Sequence, residues 1–213
     1  MTHAVGLVAS YLLGAVPFGL MVGKLTRGID IRQFGSGNIG ASNVYRTLGP
    51  GPALLVFLFD TVKGLGAVLI CRALGLGEWW IVLGALLSVL GHTFSIFLGF
   101  KGGKGVATSL GVIIGLNPVI AAVAFGIWIA LVALTRYISI ASIVASVSVP
   151  VQMVAWKSMD VPAAYQTLAG VAALAILLRH VSNIKRLVQG TEPKFGQKVA
   201  VEGEGSGEGD ERA

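Results

Sequence analysis

The chain has 213 residues, 54% of them hydrophobic and 12% charged, with a formal net charge of +6. Soluble domains carry about 25% charged residues, so half of the usual surface charge is missing and a water-facing globule is excluded. The chain also has 30 glycines, which agrees with this, because Gly is more frequent in membrane helices than in soluble ones. A lone cysteine, Cys71, forbids an internal disulfide and argues against a thiolate metal cluster.

Residues 5–22 are apolar, with no basic residue before them and Lys24 and Arg27 directly after. A signal peptide has the opposite order of charge, so this stretch predicts a retained span with its N-terminus outside. Residues 53–71, 79–100, 119–134, 138–156 and 163–178 predict five more spans. Val106–Leu116 is apolar but only 11 residues long before Asn117-Pro118. At about 1.5 Å per residue it covers about half of a ~30 Å hydrocarbon core. It predicts a short or half-spanning helix, with Pro118 restarting the chain as the next one.

The fold class is therefore an all-α polytopic membrane protein of about seven transmembrane helices. With loop 24–51 cytoplasmic, alternation through seven segments puts 13 of the 16 Lys and Arg residues on that side. The positive-inside rule favours this arrangement, with the N-terminus outside and the C-terminus cytoplasmic. Five of the ten acidic residues crowd into the Gly-rich end of the chain. Residues 1–198 thus predict one integral membrane domain and residues 199–213 a disordered acidic tail.

Three polar islands fall on the cytoplasmic side. The first, GSGNIGASNVYR at residues 35–46, contains GxGxxG, but a dinucleotide fold needs a strand before it and here a membrane span precedes it. Its glycines let successive N–H groups turn toward one anion, and Ser36, Asn38 and Asn43 add neutral donors. Arg46, three residues beyond Asn43, shares a helix face with it and offers a fork to phosphate oxygens. The plainer reading is a Gly-rich turn with a snorkelling arginine.

The second island is Lys101-Gly102-Gly103-Lys104-Gly105. It is no Walker A loop, since Gly follows Lys104, but it sets two cations before the N-terminus of the predicted short helix, itself an anion site. The third is RHVSNIKR at residues 179–186, in which His180, Asn183 and Arg186 form one polar stripe as the last helix leaves the bilayer. Arg179, Lys185 and Lys198 suit lipid headgroups, and Glu192 reads as a structural partner. Inside the second span Asp60 and Lys63, three apart, neutralise each other, while His92 either lines the site or bonds a backbone carbonyl. The scattered His residues without paired carboxylates argue against a metal site, no GxSxG elbow is present, and no basic helix or aromatic platform suits nucleic acid.

Three blocks, GSGNIGASNVYRTLG, GHTFSIFLGFKGGKGVATSLG and RHVSNIKRLVQGTE, resemble in content, order and spacing those of the acyl-phosphate-dependent glycerol-3-phosphate acyltransferases, the bacterial PlsY family. The likeness runs over residues 16–196, with Ser42 standing where Thr is common and Ser95 where Pro is common. It implies transfer of a fatty acyl group from acyl phosphate to the 1-hydroxyl of sn-glycerol 3-phosphate. The products would be lysophosphatidic acid and inorganic phosphate, in the first acylation step of phospholipid biosynthesis. The expected location is the bacterial inner or plasma membrane, with the site on the cytoplasmic side.

By residue, the resemblance implies a catalytic set of Ser36, Arg46, His180 and Asn183. Arg46 binds phosphate, Ser36 bonds near the reacting acyl group, and His180 with Asn183 orients or deprotonates the hydroxyl. A base needs a pKa near working pH, which suits His180, although a substrate phosphate oxygen would serve as well. Gly37, Asn38, Asn43, Lys101, Gly102, Gly103, Lys104 and Gly105 form the expected binding set. Expected partners are the two substrates and membrane lipid, with no cofactor, metal, nucleic acid or obligate protein partner. The competing reading is a membrane transporter of a small phosphorylated anion. It calls for charged or glycine sites continuing across the bilayer, yet Arg72, Glu78, Lys157 and Asp160 on the far side form no comparable island.

Overall fold

The computed structural model describes residues 1–197, so the expected tail at 199–213 lies outside the described residues. These residues form helices α1 (Thr2–Ala15), α2 (Phe18–Arg27), α3 (Ala41–Leu48), α4 (Pro50–Ala73), α5 (Glu78–Thr93), α6 (Val106–Leu116), α7 (Pro118–Thr135), α8 (Ile138–Ala155), α9 (Ala163–Arg179) and α10 (Val181–Val188). Short 3-10 turns lie at Ile31–Gln33, Ile96–Leu98 and Lys157–Met159, and no strand occurs among the described residues.

Among the described residues, five helical stretches are long and apolar enough to cross a membrane, or six if the bent pair α9–α10 counts as one. The first predicted span is not continuous, because the chain breaks at Val16-Pro17 between α1 and α2. Proline has no N–H for the preceding turn and pushes its neighbour out of helical geometry, and Val16 accordingly takes φ −56° and ψ 120°. The short segment is the 11-residue helix α6. Asn117 then caps α7 by accepting the Ile120 N–H at 3.1 Å, with Pro118 in the first turn. The last helix does not run straight on either, since it bends by 53° between α9 and α10.

α4 is the hub, packed against α1, α3, α5 and α6. A methyl at Gly64 would overlap the Thr108 carbonyl, and one at Gly111 would overlap the Thr61 carbonyl. The α4 and α6 backbones therefore touch, which is how helices in lipid gain dispersion energy without a hydrophobic driving force between them. α8 packs on α7 and α9 as a second group. The two groups share an apolar core that includes Val68, Cys71, Ile113, Ile120, Val149, Met153 and Leu168. These residues lie toward the ends of α4, α6, α8 and α9 remote from the polar islands, so the helices are sealed at that end and part at the other. Ser95, in the position where the family resemblance leads one to expect Pro, ties the end of α5 to α1 by donating to the Ala15 carbonyl at 2.6 Å.

Candidate active site

The first island is a loop organised by one buried side chain. Asn43, in the first turn of α3, donates through Nδ2 to the carbonyls of Ile31 (3.1 Å), Phe34 (3.0 Å) and Asn38 (2.9 Å), and its Oδ1 accepts the Ser36 N–H at 2.9 Å. Its amide hydrogens are thus engaged within the loop, so Asn43 shapes the site and is not the free donor to an anion expected from the sequence. Asn38 accepts the Gly40 N–H at 2.8 Å. One turn beyond Asn43, Arg46 is 8% exposed, and its guanidinium makes no hydrogen bond to another described side chain. Burial pulls its pKa below the ordinary arginine value, Glu192 opposes that shift and Arg186 adds to it.

The second island differs from its expected role. The Gly102 N–H bonds the Thr93 carbonyl and the Gly103 N–H bonds the His92 carbonyl, both at 3.0 Å. These two donors are taken up by the end of α5, and Gly102 and Gly103 line neither cavity of the site. Lys101 is exposed and also stands outside both cavities, as does Gly37. The anion-binding capacity rests instead on Lys104 and on Gly105, Val106 and Ala107 at the start of α6, where the first N–H groups have no intrahelical acceptor.

The third island closes the site from above. His180 is 3% exposed at the α9–α10 bend, and its Nδ1 lies 2.8 Å from the Ile176 carbonyl. A carbonyl only accepts, so Nδ1 carries the proton and Nε2 is left with its lone pair. The Asn183 side-chain oxygen accepts from Lys104 Nζ, while its Nδ2 donates to Glu192 Oε1 at 2.7 Å. Arg186 Nε donates to Glu192 Oε2 at 2.7 Å. Burial pushes the Glu192 carboxyl up, but Asn183, the nearby Ser139 hydroxyl and Arg186 together outweigh it and hold the pKa below the ordinary glutamate value. Burial also lowers the Lys104 pKa to about 8; Glu192 opposes this, while Arg186, Arg46 and Arg179 reinforce it. Among the described residues at this polar end, the Glu192 carboxylate thus faces Arg46, Lys104, Arg179 and Arg186, and the surplus of positive charge favours an anionic occupant.

Two adjoining spaces result. A cavity of about 580 Å³, mostly apolar, runs between α4, α6, α7, α8 and α9, with Arg46, Lys104, His180 and Asn183 at its polar end and Val149, Leu168 and Ala169 at the other. A polar pocket of about 230 Å³ beside it is lined by Ser36, Asn38, Lys104, Arg179, Ser182 and Arg186. Ser36, Asn38 and Lys104 border both. Arg179 also donates to the Gly103 carbonyl at 3.3 Å. Arg179, Ser182 and Asp60 were not expected at the site, whereas His92, for which the sequence left lining the site as one of two readings, borders the large cavity. The one advance signal was the Asp60–Lys63 charge pair within a span, since ionisable groups at that depth usually serve function.

The family profile described as glycerol-3-phosphate acyltransferase matches residues 4–190, and the chain belongs to this family of integral membrane acyltransferases. It is 47% identical over 198 residues to the glycerol-3-phosphate acyltransferase of Synechococcus sp. (strain JA-2-3B'a(2-13)), covering 93% of this chain and 97% of the relative. The crystal structure of PlsY, an integral membrane glycerol 3-phosphate acyltransferase in its glycerol 3-phosphate form, superposes with a TM-score of 0.86 at 40% identity, covering 92% of this chain and 96% of that one. The lysophosphatidic acid form of PlsY gives a TM-score of 0.83, also at 40% identity, over 92% and 97% of the two chains.

Proposed function

We propose that this protein transfers a fatty acyl group from acyl phosphate to the 1-hydroxyl of sn-glycerol 3-phosphate, releasing lysophosphatidic acid and inorganic phosphate. The observation that carries this reading is the adjacency of the two spaces: a cation-rich pocket that shares Ser36, Asn38 and Lys104 with a mostly apolar cavity. One substrate is a small dianion, which suits the pocket. The other is an anionic head on a hydrocarbon chain, which suits Arg46 and Lys104 with the chain between the helices.

In the reaction the 1-hydroxyl oxygen attacks the acyl carbon, the bond from that carbon to the bridging phosphate oxygen breaks, and phosphate leaves with the electron pair. Arg46, Lys104 and the first N–H groups of α6 stabilise charge on the leaving phosphate. His180 Nε2 accepts the hydroxyl proton or orients it, with the phosphate oxygen as the final acceptor. Ser36 and Asn38, which border both spaces, hold the reacting groups close enough for attack. Asn183 keeps Lys104 aimed, and Asn43 keeps the first loop folded around Ser36.

The basic islands on one side and the alternation of spans support a multi-pass protein of a bacterial inner or plasma membrane with this site facing the cytoplasm. The apolar lining at the remote end of the cavity offers an anion no path onward, which favours the enzyme over a transporter. The test is direct. Protein purified in detergent is given glycerol 3-phosphate with acyl phosphate, acyl-CoA or acyl carrier protein as donor. Lysophosphatidic acid and phosphate are expected with acyl phosphate alone, and turnover only with a thioester donor contradicts the reading.

A further inference from the structure

Below the second loop three ionisable groups are buried among the spans. Lys63 of α4 is 1% exposed, and its Nζ lies 2.7 Å from Asp60 Oδ1, 2.8 Å from His92 Nδ1 and 3.0 Å from the Val16 carbonyl oxygen. Two of the three ammonium hydrogens go into hydrogen bonds, to His92 Nδ1 on α5 and to the carbonyl at the α1–α2 break, while Asp60 Oδ1 on α4 meets the ammonium as an ion pair without hydrogen-bond geometry. Because Lys63 donates, His92 Nδ1 accepts, and the imidazole proton is on Nε2.

His92 in turn carries the loop. Its carbonyl accepts the Gly103 N–H at 3.0 Å, and its ring lies so close to Gly103 that a β-carbon there would overlap Nε2. The next residue is Lys104. Asp60 and His92 both line the large cavity directly below. Packing alone does not account for such a cluster, since apolar residues of equal volume often serve stability as well as a buried ion pair or better. What it does provide is a fixed geometry running from the helix bundle to the loop.

We propose that Asp60, Lys63 and His92 form a positioning strut: Lys63, neutralised by Asp60, locks the His92 ring and tautomer, and His92 sets where the loop presents Lys104. The strut acts through Lys104, so its loss weakens phosphate binding more than it slows the chemical step. The kinetic part of this rests on the acyltransferase reading, while the tautomer does not.

The experiment uses the full chain in detergent. Asp60→Asn/Lys63→Met removes both charges together, leaves no unpaired buried ion, and conserves volume. It is expected to fold and to raise the KM for glycerol 3-phosphate about tenfold, the scale of one misplaced charge-assisted bond, with kcat within about threefold. In a second arm, Gly103→Ala raises KM by itself, whereas Gly103→Ala in a His92→Ala background adds nothing, because the ring it strikes is gone. In a third arm, imidazole 15N spectra are expected to show Nε2–H for His92 in the wild type and a tautomer mixture in Asp60→Asn/Lys63→Met. An unchanged KM in the double variant, additive Gly103 and His92 effects, or an Nδ1–H tautomer in the wild type would overturn the strut. If the wild type acylates nothing, the acyltransferase reading fails while the spectra still decide on the strut.

Discussion

Lys104 and Asn183, 79 residues apart in sequence, meet through a hydrogen bond from the lysine ammonium to the asparagine side-chain oxygen. The asparagine can face Lys104 with its oxygen only because its NH2 is held by Glu192 at 2.7 Å. A buried carboxylate thus decides which way Asn183 points, and so where Lys104 points.

Glu192→Ala leaves the Asn183 amide and Arg186 without their acceptor. An unmet buried donor costs about 1–3 kcal/mol, so a lower melting temperature is expected together with loss of activity. Glu192→Gln keeps one acceptor oxygen and should fall between the two. Thermal scanning in detergent checks this, and an alanine variant as stable as the wild type contradicts the structural role.

Lys104 binds an anion as a cation, and burial brings its pKa to about 8. The binding form is therefore complete well below that pH and lost as pH rises through it. The KM of the anionic substrate that Lys104 holds should be flat at neutral pH and climb about tenfold per unit at high pH, the limiting slope for loss of one proton. Lys104→Arg, whose guanidinium stays charged, should remove the climb. Lys104→Ala should raise KM by one to two orders of magnitude at neutral pH, from the loss of charge-assisted bonds. A pH series of initial rates checks all three.

His180 has Nδ1 engaged by the Ile176 carbonyl, which leaves Nε2 as its one free acceptor. Burial, reinforced by the Lys104 ammonium, lowers the His180 pKa to about 4, below the working pH expected of it. If Nε2 takes the hydroxyl proton, His180→Gln should therefore lower kcat by about 10²–10⁴ and remove an acid limb of the pH–rate profile near that pKa. A near-normal rate with an unchanged profile assigns the proton to the substrate phosphate instead.

The remote end of the cavity should set the preferred acyl length. Ala169 is 2% exposed and borders the cavity beside Leu168 and Val149. Ala169→Phe fills part of that space, and each methylene denied burial forfeits about 0.8 kcal/mol. The variant should therefore prefer shorter donors, with the KM for glycerol 3-phosphate unchanged. A donor-length series checks this, and an unaltered preference removes Ala169 from the chain site.

Much of this was legible in the sequence because hydropathy and charge act locally. The 11-residue helix before Pro118 followed directly, and so did the three islands. The break at Val16-Pro17 was written in the proline and was hidden by the apolar run around it. The roles of Gly102 and Gly103 were not legible, because what occupies their N–H groups is the end of α5, about ten residues back and reached only after the chain reverses at Ile96–Leu98. Asn43 had the expected residue type for a phosphate site, yet three loop carbonyls compete for its amide. The polar pocket of Arg179, Ser182 and Arg186 with Ser36 and Asn38 joins islands about 140 residues apart, a proximity that only the packed helices create.

The central claim is that the 1-hydroxyl of glycerol 3-phosphate attacks the acyl carbon of acyl phosphate in the mouth shared by the two cavities. An oxygen label tests it most directly. Glycerol 3-phosphate carrying 18O in its 1-hydroxyl is incubated with acyl phosphate and the purified protein, and the products are read by mass spectrometry. The account predicts the label in the ester linkage of lysophosphatidic acid and none in the released phosphate. Label in a doubly phosphorylated glycerol, with free fatty acid as the other product, would mean attack at phosphorus and would contradict it.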